Sequence, residues 1–125
     1  MKTNLTEQMK ELLEDYTDDV MNTVVDVIGE VAEEAADELK QTSPKRRKHG
    51  GAYARSWSVK EEKKRTFASA IVHNKKHYQL THLLEFGHAR AGGGRKVDPI
   101  VHIEPVNVRS EEEAVKRITE AIRKL

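Results

Sequence analysis

The strongest constraint on the fold is an apolar stripe that runs through residues 6–41 without a proline. Apolar side chains recur there at steps of three and four residues, the spacing of one face of an α-helix. They are Leu12, Leu13, Tyr16, Val20, Val24, Val27, Ile28, Val31, Ala35 and Leu39. This helix would be roughly 50 Å long, whereas a globule of 125 residues is about 36 Å across. We therefore expect the helix either to bend at Gly29 or to extend past the domain, so that one end needs a neighbouring subunit.

The same segment separates the charge of the chain. Residues 6–40 contain twelve acidic and two basic side chains, a net charge of −10, and the rest of the chain carries +11. The face of the helix opposite the apolar stripe is nearly all carboxylate, which is typical of a solvated helix face. A molecule polarised in this way favours charged partners or head-to-tail self-association.

Six further segments come after this helix, each indicated by its periodicity and by its Gly and Pro residues. They are a basic loop (42–54), a hairpin (55–73), a helix (77–86), a Gly-rich basic loop (87–98), an extended strand (99–108) and a C-terminal helix (110–125). The order contains no regular strand–helix–strand unit and no internal repeat, and the length suits one domain. The sequence therefore predicts a single α+β domain with a small antiparallel sheet.

Local signals fix the expected boundaries. The hairpin should turn at the charged residues 61–65, and Gly87 should end the middle helix with a positive φ. Pro105 excludes a central strand, and Ser110 followed by Glu113 matches a capping box at the start of the last helix. The apolar side chains of the middle helix are expected to pack on the hairpin; they are Tyr78, Leu83, Leu84 and Phe86.

Composition excludes several classes of protein. The chain has no cysteine, so disulfide scaffolds, thiolate catalysis and cysteine-ligated metals are ruled out, and a reducing compartment fits. No segment approaches the ~20 apolar residues of a membrane span, and the first thirteen residues lack the apolar run of a signal peptide. We therefore expect a soluble protein with no membrane partner.

The polar residues do not form a recognisable catalytic or metal motif. Six histidines are present, and His82, Glu85 and His88 are spaced by threes, but no His-Glu-x-x-His sequence occurs and His88 lies beyond the helix. The serines lack a nucleophile elbow, and the Gly-rich run before Arg95 lacks the ending of a P-loop. We assign no catalytic residue, no metal ligand and no cofactor, although a metal-dependent enzyme built on the histidines stays open as an alternative.

Both loops are basic. The first contains Lys45, Arg46, Arg47 and Lys48, and the second contains Arg90, Arg95 and Lys96. Two such loops on one surface would attract a polyanion through its phosphates without reading bases. The alternative is that the charges only keep the loops solvated.

A short motif resembles a known family. Glu85-Phe86-Gly87 ends a helix, a stretch rich in Gly and Arg comes next, and His102-Ile103-Glu104-Pro105 precedes the last helix. This order is similar to that of the phage tail-component family of long-tailed bacteriophages, whose members are described as tail completion, tail terminator or head–tail joining proteins. Arg55-Ser56 also lies where such proteins enter the sheet. The departures are Glu104 in place of a basic residue, Val106 in place of a small one, and fewer loop prolines.

The resemblance implies a non-enzymatic virion protein that forms a homo-oligomeric ring between the head connector and the tail tube. The expected partners are other copies of the chain, connector or tail tube proteins, and double-stranded DNA that passes through the ring, with assembly in the host cytoplasm. We expect the two basic loops to face that DNA. The main alternative is a small non-specific nucleic-acid-binding protein.

Overall fold

The computed structural model describes residues 4–45, 50–89, 93–94 and 96–125. Its elements are α1 (Leu5–Thr42), α2 (Ala52–Arg55), β1 (Trp57–Lys64), β2 (Phe67–Asn74), α3 (Tyr78–Phe86) and α4 (Ile103–Arg123). The predicted α+β class is confirmed, with the two strands forming one antiparallel sheet. In this part of the chain no helix combines the length and hydropathy that crossing a bilayer requires.

Helix α1 continues without a break through Gly29, and its first half extends past the core. The Asn4 side chain caps the start by accepting the Thr6 N–H at 2.9 Å. Gly29 is buried beneath the hairpin, and a Cβ there would lie 2.5 Å from Oε1 of Glu61. Glycine therefore lets the hairpin approach the helix backbone. The buried residues of α1 all lie between Gly29 and Leu39.

The hairpin lies along α1 with one face turned inward. Its register pairs Val59 with Val72 and Lys64 with Phe67, which leaves Arg65 and Thr66 as a two-residue turn. The predicted turn at residues 61–65 is wrong, because the charged residues continue strand β1. The inner face of that strand tolerates charge because it meets polar groups of α1: Lys63 Nζ donates to Asn22 Oδ1 at 2.6 Å.

Helix α4 packs antiparallel to α1 through ion pairs. The Arg117 guanidinium contacts carboxylates of Glu30 at 3.2 Å and Glu34 at 2.8 Å. Arg109, in the first part of α4, pairs with Glu38 near the C-terminal end of α1. Hydrogen bonds to Glu34 and Glu113 raise the pKa of Arg117 above its ordinary value. Part of the acidic face that the sequence assigned to solvent is therefore neutralised by α4.

The core lies where α1, the hairpin and α4 meet. Its buried members are Ala35, Ala36, Leu39, Tyr53, Trp57 and Val106. The Trp57 indole N–H donates to Ser43 Oγ at 2.8 Å, so the largest core ring also fixes the end of α1. Small alanines on α1 allow this ring to approach the helix closely.

Two predicted segments are wrong. The basic loop (42–54) ends in the one-turn helix α2, and the extended strand (99–108) is mostly the start of α4. Pro105 is the third residue of α4, where a missing N–H costs nothing because the first turn has no helical acceptor. Ser110 consequently lies inside the helix, and the capping box expected there does not mark its start.

The expected packing of α3 on the hairpin is only partly correct. Leu84, together with Leu80, packs against the core, but Tyr78 is 64% and Phe86 is 69% exposed, and Leu83 is also exposed. A nine-residue helix has one face toward the core, and Leu80, Leu84 and Glu85 occupy it. The aromatic side chains therefore lie outside that face.

Candidate functional site

The family-like motif surrounds a buried carboxylate. Glu85 is the only acidic residue of α3 and is 7% exposed. Its Oε1 accepts the N–H groups of His102 and Ile103, and its Oε2 accepts that of Glu104, each at 2.9 Å. The first N–H groups of a helix have no acceptor within that helix, and they carry its positive partial charge. Glu85 therefore caps α4 from a different element.

His102 extends this contact into a network. Its Nδ1 lies 2.8 Å from the Ile100 carbonyl oxygen and 3.1 Å from Oε1 of Glu85. A carbonyl oxygen is always an acceptor, and the ionised carboxylate of Glu85 has no proton to donate. Nδ1 therefore carries a proton, and Nε2 lies 2.8 Å from the Tyr53 hydroxyl. Burial and the nearby charge of Glu85 raise the pKa of Tyr53 to about 12, so its hydroxyl remains a donor.

The environment of Glu85 favours its charged form. Burial raises the pKa of this carboxyl, but the three backbone N–H donors and nearby His102 outweigh burial and bring the pKa below its ordinary value. The carboxylate is thus ionised near neutral pH. A carboxylate with a lowered pKa is unsuited to act as a general acid at neutral pH, and its three backbone partners make it a helix cap.

Asn74 joins the network to the hairpin. Its side-chain nitrogen donates to the Tyr53 carbonyl, and its side-chain oxygen accepts the His77 N–H, both at 2.9 Å. Among the described residues, every buried side-chain nitrogen or oxygen has a hydrogen-bond partner. The network holds α2, β2, α3 and α4 in fixed positions, and within these residues it leaves no buried polar atom aimed at a substrate.

The histidines that the structure describes do not converge on a metal. Glu85 points toward α4, while the His82 ring packs against Phe86 with centroids 4.9 Å apart. Across residues 4–45, 50–89, 93–94 and 96–125, no three His, Asp or Glu side chains are placed to hold an ion. These residues therefore do not support the metal-dependent enzyme that the sequence left open.

Gly87 has the positive φ that the sequence predicts. Its φ is 74° and its ψ is 175°, so the backbone leaves α3 extended and is not in the left-handed helical conformation. A Cβ at this position would lie 2.5 Å from the Val97 carbonyl oxygen. That oxygen accepts the His88 N–H at 3.2 Å, and the Val97 N–H returns a bond of 2.7 Å to His88. Gly87 therefore permits the contact that closes the base of the Gly-rich loop.

A surface depression lies beside the first basic segment and the base of the second loop. Lys45 and Lys96 are exposed, whereas Arg46, Arg47, Lys48, Arg90 and Arg95 lie outside the described residues. Lys45, Gly50 and His88 line the same depression of about 480 Å³. Lys45 therefore lies at this depression, whereas Lys96 is not among its lining residues, and the second loop reaches it only through His88.

A separate apolar surface lies on the first half of α1. We call residues 4–20 the arm. Leu5 and Leu12 are each 69% exposed, and Met9, Leu13 and Tyr16 are more than half exposed. Thr6, Met9 and Leu13 border a shallow depression with Arg65 and Thr66 of the hairpin turn. The sequence predicted that one end of this helix could extend past the domain, and the exposure of these residues shows that it is the N-terminal end.

Sequence reasoning identified Glu85 only as part of a motif and missed the roles of His102 and Tyr53. The available signal was the position of Glu85 as the lone carboxylate of its helix, since such a group is either exposed or paired. The partner could not be found from the sequence, because it is the backbone of residues 102–104.

Comparison with known proteins identifies the family. Residues 6–87 match the model of the HK97-gp10-like family, described as "Bacteriophage HK97-gp10, putative tail-component". No curated protein and no solved structure matches the chain significantly. The matched region includes α1, the hairpin and α3, and it ends at Gly87 of the motif. The chain therefore belongs to the HK97-gp10-like family of bacteriophage tail components.

Proposed function

We propose that the chain is a structural subunit of a ring at the neck or tail end of a bacteriophage or prophage, and that the ring surrounds the DNA channel. The observation that carries the proposal is the exposed apolar arm of α1. Membership of a tail-component family supplies the context, a virion, in which such a surface would be covered.

The arm is too apolar to be explained as an ordinary solvated helix end. Five large apolar side chains are at least half exposed over residues 5–16, which amounts to about three helical turns. Contiguous apolar surface of this kind marks a protein–protein contact. A rigid helix that extends past its own core at one end suits a subunit that packs against neighbours.

The basic segments support a position next to DNA. Seven Lys and Arg side chains occupy residues 45–48 and 90–96, and Lys45 borders one depression together with His88, which lies at the base of the second loop. Phosphate attraction of this type is independent of base sequence. A channel lining needs weak attraction of this kind, because tight contacts would hold back DNA that has to move.

The proposed partners are other copies of the chain and the connector or tail tube proteins of the same phage, with assembly in the host cytoplasm. The role is non-enzymatic: the buried polar cluster around Glu85 is satisfied by the protein itself. A second candidate, a small non-specific nucleic-acid-binding protein, is favoured only by the basic segments. That candidate gives no role to the exposed arm.

The direct test uses the phage or prophage that encodes the chain. Particles are purified and analysed by mass spectrometry, and the gene is deleted and complemented. We expect the protein in wild-type particles and tails or neck junctions that fail to complete in the deletion. Light scattering and negative-stain electron microscopy of the purified protein, alone and with the connector, should show rings. Normal infectious particles without the protein would contradict the proposal.

A further inference from the structure

The outer face of the hairpin is a second exposed apolar surface. The inner face carries Glu61 and Lys63 against α1, so the residues that alternate with them point away from the helix. On this outer face Phe67 is 49% and Ile71 is 55% exposed. A two-stranded sheet is marginally stable unless its faces are packed. The hairpin meets α1 through its inner face, and although Ile71 also borders a depression lined by residues of α1 and α4, about half of its surface stays exposed.

Lysines flank these apolar side chains. The register places Lys64 directly opposite Phe67 and Lys60 directly opposite Ile71, so each apolar side chain has a lysine beside it on the same face. Glu62 lies between the lysines and contacts Lys64 at 3.6 Å in an exposed pair. With Arg65 in the turn, the outer face and tip are basic.

The arm has the complementary pattern. It contains six acidic residues and one lysine. A helix turns about 100° per residue, so Leu5, Leu12 and Tyr16 form one narrow stripe, with Asp15 and Asp19 about 60° and 20° from Leu12. The stripe lies about 110° around the helix from the middle of the side that borders the hairpin turn of its own copy. The arm therefore presents apolar side chains with carboxylates alongside them.

We propose that the arm of one copy packs on the outer face of the hairpin of the next copy. Leu12 and Tyr16 would cover Phe67 and Ile71, and the carboxylates would lie beside Lys60 and Lys64. This inference rests on the proposed ring and names the contact that builds it. Because donor and acceptor are different surfaces of the same chain, the contact is heterologous, which is the type that closes into rings.

Charge argues for this pairing over symmetric ones. Two arms side by side would bring twelve carboxylates together against two lysines, and two hairpin faces would bring like-charged lysines together. A contact between the arm and the hairpin places opposite charges around an apolar centre, which is the usual arrangement in a specific interface. The outer hairpin face cannot take the arm of its own copy, because it points away from α1.

The first test reverses charges. Lys60→Glu with Lys64→Glu should raise the concentration needed for half-maximal assembly by about tenfold or more. Adding Asp15→Lys and Asp19→Lys to the same chain should restore assembly. The matched control, Lys116→Glu with Lys124→Glu near the end of the chain, makes the same change of charge at exposed sites and should assemble normally. Circular dichroism checks that each variant is folded.

The second test uses the absence of cysteine from the chain. A Leu12→Cys, Ile71→Cys double variant, mildly oxidised, should give a ladder of disulfide-linked oligomers, whereas each single variant can give no more than a dimer. The control pair Leu12→Cys, Val115→Cys places the second thiol on an exposed site of α4 and should give no ladder.

The outcomes separate the inference from the proposed function. Rings that form normally in the charge-reversed variant, or an equal ladder in the control pair, would overturn the arm–hairpin contact and leave the ring intact. Cross-linking of Leu12→Cys to a connector or tube protein instead of the hairpin would show that the arm binds that protein and not a second copy of the chain. A wild-type chain that never assembles, alone or with its partners, would overturn both.

Discussion

Glu85 and His102 are 17 residues apart in the chain, and they meet where the carboxylate of Glu85 accepts the backbone N–H of His102 at 2.9 Å. The same carboxylate accepts the next two N–H groups, at the start of α4. One side chain of the motif helix thus fixes the direction in which the C-terminal helix leaves. Loss of the Glu85 carboxylate should therefore weaken the packing of α4 on α1 along its length.

Replacing Glu85 by Ala should destabilise the protein by about 2–4 kcal/mol, because three N–H groups lose a charged acceptor in a buried site. Glu85→Gln keeps an acceptor oxygen and should cost less. Urea unfolding followed by circular dichroism measures both. The control is Glu112→Ala, an exposed glutamate of α4, which should change stability little. Equal stabilities of Glu85→Ala and wild type would show that water replaces the cap.

The contribution of Glu85 should depend on pH. Its folded pKa is lowered, so the charged form stabilises the fold above the unfolded pKa of about 4.3, and this stabilisation is lost as the pH falls through the lower folded pKa. The difference in unfolding free energy between wild type and Glu85→Gln should therefore be constant from pH 7 to about 5 and shrink toward pH 3. A difference that grows on acidification would mean that burial dominates the pKa.

Gly87→Val should lower the melting temperature. A β-branched residue at φ 74° is strained by about 1–3 kcal/mol, and its Cβ would also meet the Val97 carbonyl oxygen. A pair of alanine variants separates the two effects. Gly94 also has a positive φ, of 96°, but apart from its chain neighbours no atom of the described residues lies within 4 Å of a Cβ there. Gly87→Ala should therefore lower the melting temperature more than Gly94→Ala. Equal losses would mean that backbone strain alone, and not the contact with Val97, makes glycine necessary at position 87.

Deleting residues 1–12 should weaken assembly and leave the monomer nearly intact. The deletion removes Leu5, Met9 and Leu12, all exposed, while the buried part of α1 begins at Gly29. Circular dichroism and thermal melting of the monomer should change little, and light scattering should show loss of the larger species. Collapse of the monomer fold would mean that the arm supports its own domain.

Replacing residues 45–48 with four serines should remove most binding to duplex DNA and spare assembly. Wild-type binding should be weak, without sequence preference, and should fall steeply with salt because neutralised phosphates release counterions. The matched control replaces four other exposed lysines by serine: Lys75, Lys76, Lys116 and Lys124. Labelled duplex titrated at two salt concentrations gives the comparison. Salt-independent binding, or an unaffected four-serine variant, would contradict the channel assignment.

Elements set by local pattern could be predicted, and contacts between distant segments could not. The apolar spacing of α1 predicted residues 6–41 against an observed Leu5–Thr42, and α3 was predicted within one residue. The start of α4 was missed because its cap comes from Glu85 in another helix, whereas Ser110 offered a local cap. Ile103, Pro105 and Val106 were compatible with a first helical turn, but the run of Ile and Val residues over 99–108 favoured the strand interpretation.

The hairpin turn was also mispredicted because it depends on a contact between distant segments. Glu61 and Lys63 look like turn residues because charge in a short strand is unusual, yet both face α1 at Gly29 and Asn22. That environment exists only once the helix is in place. The assignment of Tyr78 and Phe86 to the core failed for a related reason, because periodicity indicates that a face is apolar without saying whether this chain covers it.

The capping of α4 by Glu85 makes few demands on the sequence of that helix. Its carboxylate oxygens bind three backbone N–H groups, and every amino acid except proline supplies the same group. The family match ends at residue 87, before this helix begins. The matched region therefore carries its own attachment point for a C-terminal helix, and the side chains at positions 103 and 104 can diverge, proline aside, without altering that joint.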